Sequence, residues 1–198
     1  MSPRRQLPWV VLLLAAGCAA PSPRGRQVAD LTNPALGPEY AQWLVGAISR
    51  LATPEEARRF LALGSDAEAE RFVTQFWAQR DPKPATPENE ALQLFESRSL
   101  EADRLLSESG FRGRRTDRGA VLILFGPPKK VDFEMSPDPR DPPIEVWFYD
   151  PGTVGIGGQQ ARLSYRFIHR GDLTETYRPR SSGGRPGLAD AAEPRRSA

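Results

Sequence analysis

The chain has one histidine, His169, and one cysteine, Cys18, and that scarcity bounds the chemistry open to it. A Ser-His-Asp triad would depend wholly on His169, which stands beside Arg170 and Gly171 at the end of an alternating segment where a turn is expected. A zinc site needs several His or Cys ligands. "DPRD" (138–141) and "DPGT" (150–153) lack the regular acidic spacing of a calcium loop and read as turns. Gly126-Pro127-Pro128-Lys129 has no phosphate-loop pattern around it, and its prolines remove the N–H donors such a loop uses. Gly155, Gly157 and Gly158 are not followed by a helical pattern, so a dinucleotide site is weakly supported. No catalytic residue, no metal ion and no cofactor is therefore expected.

Carboxylates and arginines remain. Glycoside hydrolysis needs two acids a few ångströms apart, and Glu90, Glu101 and Asp117 are the acids to test for a cell-wall hydrolase. The more distinctive pattern is charge at element junctions. Arg80-Asp81 ends an apolar helical stretch, Asn89-Glu90 opens the next, Arg98 falls on that segment's inward stripe, and Thr116-Asp117-Arg118 leads into the most apolar run of the chain. Charges at such places are costly unless paired. Arg80, Asp81, Glu90, Arg98, Thr116, Asp117 and Arg118 are thus expected either to form one buried ionic network, with guanidinium forks gripping carboxylates, or to line a polar recess for a ligand.

The elements that must hold these residues follow from periodicity. Tyr40, Trp43, Leu44, Ala47, Ile48 and Leu51 recur at helical spacing over 38–51. Thr53-Pro54-Glu55-Glu56 reads as a capping box with proline at the first helical position, and Ser65-Asp66-Ala67-Glu68 as a second. "RDPKPATP" (80–87) interrupts, and Thr86 is expected to cap a long helix over 87–108. "AVLILF" (120–125) reads as a strand buried on both faces, the segment 129–143 as a loop, and "EVWFYD" (145–150), "RLSYRFI" (162–168) and "TETYR" (174–178) as further strands. Helices followed by strands predict an α+β fold, N-terminal α-helices preceding a small antiparallel sheet of three to four strands.

The N-terminus indicates the compartment. "MSPRR" followed by "LPWVVLLLAA" has the charge and length of a signal peptide and is too short to span a bilayer. It closes on Ala15-Ala16-Gly17-Cys18, which resembles a bacterial lipobox with alanine where leucine is commonest. Residues 1–17 are read as a lipoprotein signal, 18–37 as a tether, 38–178 as one domain, and 179–198 as a disordered tail. Losing Arg4 and Arg5 with the signal leaves as many basic as acidic side chains, 25 of each, so no nucleic-acid partner is expected. Ala19 after the cysteine favours the outer membrane, facing the periplasm.

Three blocks then carry a resemblance to a known family: "FWAQRDPKPATPENE" (76–90), "TDRGAVLILFGPP" (116–128) and "EVWFYD" (145–150). From about Leu61 to Tyr177 the chain resembles the GWxTD-domain proteins, a bacterial family of exported proteins and lipoproteins. The naming motif stands here as Gly113-Arg114-Arg115-Thr116-Asp117, with arginine in place of tryptophan, so the packing around residue 114 is expected to differ. The resemblance implies an exported, often lipid-anchored domain and no catalytic residue. The expectation is a membrane-anchored envelope protein, held through lipidated Cys18, that binds an envelope protein partner without catalysis. A carboxylate hydrolase and an arginine-lined ligand site are the alternatives.

Overall fold

The computed structural model describes residues 28–179 apart from Ser109; the expected signal peptide, Cys18 and most of the expected tail lie outside that range. The described residues form an α+β unit in which helices mostly precede a four-stranded antiparallel sheet.

Local signals account for most of the helices. After a run of turns, α1 covers Ile48–Leu51. The helix expected over 38–51 is thus helical only in its last turn. Gly46 sits at φ +90°, where a Cβ would lie 2.3 Å from the Arg114 carbonyl oxygen; only glycine fits there, and its conformation breaks α geometry. The apolar face is still buried, with Leu44, Ala47 and Ile48 in the core. Helix α2 (Pro54–Leu61) starts at the Thr53 capping box, both of whose bonds form. Helix α3 (Asp66–Ala78) is capped by Ser65, and Glu68 accepts from the Gly64 N–H at 2.9 Å. Helix α4 (Glu90–Leu106) begins three residues later than expected. Asn89 is its cap, accepting from Leu92 N–H and donating to the Trp77 carbonyl at the end of α3. Thr86 instead turns its hydroxyl onto carbonyls of its own loop.

The largest difference concerns "AVLILF". It is not a strand but the body of helix α5 (Asp117–Phe125), buried from Gly119 to Leu124. A short continuous apolar run does not separate a buried strand from a buried helix. Its ends decide: Thr116 accepts from the Gly119 N–H as N-cap, Asp117 places an acid in the first turn, and Gly126 at φ +81° stops the helix ahead of two prolines.

The sheet is a meander of β1 (Lys130–Glu134), β2 (Ile144–Phe148), β3 (Ser164–Arg170) and β4 (Leu173–Thr176). Strand β1 falls inside the segment expected to be a loop. Its five residues are all exposed, so no buried stripe marks it, and the Pro-Asp cluster that follows obscures its alternation. One sheet face packs on α5 through Trp147 and Phe167, joined by Tyr149 just past β2. Ile144, Val146 and Ile168 form a smaller apolar cluster on the other face. A separate aromatic core of Trp43, Phe60, Phe72, Phe76 and Trp77 ties α2 to α3. The expected tether over 18–37 ends earlier than read: Leu36 is buried, and the buried Asn33 side chain donates to the Phe60 and Leu63 carbonyls.

Candidate functional site

The junction residues do not form one network. Thr116, Asp117 and Arg118 lie at the start of α5 beside β4, whereas Arg80, Asp81, Glu90 and Arg98 line a cleft between α3, α4 and the Val154–Gly158 loop.

At the first place the motif residues are architectural. Gly113 lets the chain cross α4 so closely that a Cβ would stand 1.7 Å from the Ala102 carbonyl oxygen. The Arg114 backbone N–H and Nε donate to the two oxygens of Asp103 at 2.8 Å each, which holds the arginine expected to pack differently at this position. The Thr116 hydroxyl donates to the Gly113 carbonyl while capping α5. Asp117 accepts from Arg50 through one oxygen, at 3.2 Å, and from the Thr176 N–H through the other, at 2.7 Å. Arg118 bridges Glu108 to Glu145, whose other oxygen takes the Trp147 indole N–H at 2.6 Å. The second oxygen of Glu108 accepts the Thr174 N–H at 2.6 Å.

The two amides accepted here belong to one edge of the sheet. In the β3–β4 hairpin, Arg170 pairs with Leu173 across a two-residue turn, so backbone groups of Thr174 and Thr176 point away from β3. Glu108 and Asp117 cover those outward N–H groups. The β4 edge is thereby closed by the molecule's own carboxylates, a protection against strand pairing of the kind exposed edges require.

Arg80 is equally committed. Its guanidinium takes both Glu56 oxygens at 3.0 and 2.8 Å, donates to the Phe76 and Leu51 carbonyls, and lies 3.5 Å from the Phe76 ring centroid. One side chain thus joins the ends of α1 and α3 to the capping box of α2. Burial acts to raise the Glu56 carboxyl, and hydrogen bonds from Arg80 and Thr53 more than reverse this, leaving it below the usual carboxylate range.

Arg98 grips no carboxylate. Its Nη1 donates to the Ile123 and Leu124 carbonyls at 3.1 and 3.2 Å, placing a cation at the C-terminus of α5. Burial lowers its pKa, with Tyr149 and Glu101 opposing. Together with Arg80, Asp81, Glu90, Leu94 and the glycine loop it lines a cleft of about 490 Å³. Glu90 pairs with Lys83 at 3.2 Å through one oxygen, and its other oxygen is buried without a hydrogen-bond partner.

The three acids considered for hydrolysis do not converge. Glu90 and Glu101 are eleven residues apart on α4, about 16 Å along the axis, and Asp117 is held at β4. His169 lies in β3 with Nδ1 3.0 Å from the Thr174 hydroxyl, away from the cleft. No group of side chains suited to hold a metal ion occurs among the described residues.

The remaining edge, β1, is the feature that sequence reasoning missed. Tyr149 N–H bonds to Leu163 beyond β3, and the Phe148 carbonyl accepts from Lys129 on the β1 side. By alternation, the amides of Val131 and Phe133 point outward; that of Phe133 donates to its own neighbour Asp132 at 2.9 Å. Val131, Phe133 and Met135 are 45%, 66% and 84% exposed. The signal was present as the alternation Lys-Val-Asp-Phe-Glu-Met over 130–135.

No protein-family model matches this chain, and no curated protein and no solved structure matches it either.

Proposed function

We propose that this protein is a lipid-anchored domain of the bacterial cell envelope, of the GWxTD type, that docks an envelope protein along β1 and catalyses no reaction. The observation that carries the docking role is the contrast between the sheet's two edges. Glu108 and Asp117 close β4, whereas β1 presents outward amides beside an exposed apolar row. Strand addition uses such an edge: main-chain bonds supply affinity and alternate side chains supply selectivity. The anchor rests on the lipobox at Cys18 and the tether behind it. Several acyl chains on that cysteine, as in lipoproteins generally, hold more firmly than one. No helix among the described residues is long and apolar enough to cross a membrane.

A photoreactive residue at Phe133, introduced in the full chain and irradiated in intact envelopes, is expected to yield a protein adduct in the membrane fraction; the same residue at Glu175 on β4 is expected to yield none. Adducts absent at 133, or equal at the two edges, would contradict the docking role. Cys18→Ser is expected to move the protein out of the membrane fraction, and unchanged sedimentation would refute the anchor.

A second reading attaches to the cleft. Its volume suits a small ligand, and its lining sets Glu90 and Arg98 beside the apolar Leu94 and Ile156.

A further inference from the structure

We infer that the partner strand at β1 is β1 of a second copy, so that the domain dimerises through one continuous sheet. This rests on the docking role proposed for β1 and adds the occupant. Strand β1 reads Lys130-Val131-Asp132-Phe133-Glu134, and run antiparallel against itself about an axis at Asp132 it is self-complementary. Lys130 then faces Glu134 of the second copy, Val131 faces Phe133, and the same two contacts repeat on the other side of the axis, as isologous contacts require.

The hydrogen-bond parity agrees. The outward amides are those of Val131 and Phe133, and in this register Val131 meets Phe133 of the other copy, so each such pair exchanges both N–H···O bonds. The bond from Phe133 N–H to Asp132 is given up for one to a strand carbonyl. Moving the axis to Phe133 would set Asp132 against Glu134 on both sides, which like-charge pairs disfavour. Moving it to Val131 would set Phe133 against Lys129. Only the axis through Asp132 pairs all five residues.

The cost is Asp132 opposite itself, and it is offset by Lys130, whose Nζ lies 2.6 Å from the Asp132 carboxylate. Glu134 is already held by Arg166 at 3.0 Å, which fixes it on the face where Lys130 of the second copy arrives. Lys130, Asp132, Glu134 and Arg166 sum to no net charge on that face. Val131 and Phe133, and Met135 just beyond the strand, lie along the opposite face and lose solvent exposure on pairing.

Three full-length variants in membranes test this. Residues at 132 would form a non-hydrogen-bonded pair with Cα atoms about 4.5 Å apart, within disulfide range, so Asp132→Cys is expected to give a disulfide-linked dimer on mild oxidation that the parent chain does not. Lys130→Glu and Glu134→Lys each oppose like charges twice and are expected to weaken self-association roughly tenfold. Mixing the two variants restores both pairs and is expected to restore association, which a folding defect in either chain would not permit. A monomeric Asp132→Cys chain alongside Phe133 adducts to other proteins would overturn the dimer and leave the docking role standing. Monomeric chains with no adduct at Phe133 would overturn both.

Discussion

Arginine does the joining in this chain, and at three sites it does so in three chemically different ways. Arg80 uses its planar fork on a carboxylate, two carbonyls and a ring face at once, a combination that the point charge of lysine does not match. Arg118 spans two glutamates. Arg98 binds no acid and neutralises a helix C-terminus. Pairing with Arg80 gives the molecule a pH dependence of defined sign. Glu56 has a folded pKa below its ordinary 4.5, so its contribution is present above the unfolded value and is lost as pH falls through the folded one. The stability gap between the parent chain and Glu56→Gln, read from urea midpoints, is therefore expected to be widest at neutral pH and to narrow in acid; a gap independent of pH would show that the ion pair contributes nothing.

At the scale of elements, what could be read in advance was what is encoded within a few residues. Thr53 and Ser65 announce α2 and α3 because a cap and the amide N–H that donates to it lie three residues apart. The alternation in β2 and β3 is equally local. Helix α5 was not legible from its period, since Val121, Ile123 and their neighbours are apolar on every face; the signals that select the helix stand only at its ends, in Thr116, Asp117 and Gly126. The inward place of Arg98 could be read from helical spacing; its partners, two carbonyls 25 and 26 residues away, could not. Glu108 and Glu145 left no trace in the sequence, because an acid on a helix end or strand looks the same whether it faces water or an arginine. Asp117 has become the clearest element-scale test. Asp117→Ala removes the acceptor from the outward Thr176 N–H, so it is expected to cost about 1–3 kcal/mol in a denaturation curve and to open β4, raising concentration-dependent self-association. A variant of undiminished stability whose self-association does not exceed the parent's would show that the carboxylate does not guard the edge.

For the whole molecule, these pieces describe a sheet with one sealed side and one available side, built on helices that arginine side chains tie together. The sealed side is made around residues 113–117, each with an architectural part: Gly113 for close passage over α4, Thr116 to cap α5, Asp117 to cover β4. The available side lies on the first strand after the motif and is charged and apolar in alternation. Val131→Pro probes that asymmetry most directly. The Val131 N–H points away from β2, so proline there removes no ladder bond and is of the kind edge strands accept, but it denies a donor to any docked strand. The expected result is a urea midpoint matching a stability within about 0.5 kcal/mol of the parent, with association through β1 and the Phe133 adduct both lost. Adduct and association unchanged in a folded Val131→Pro chain would contradict the account.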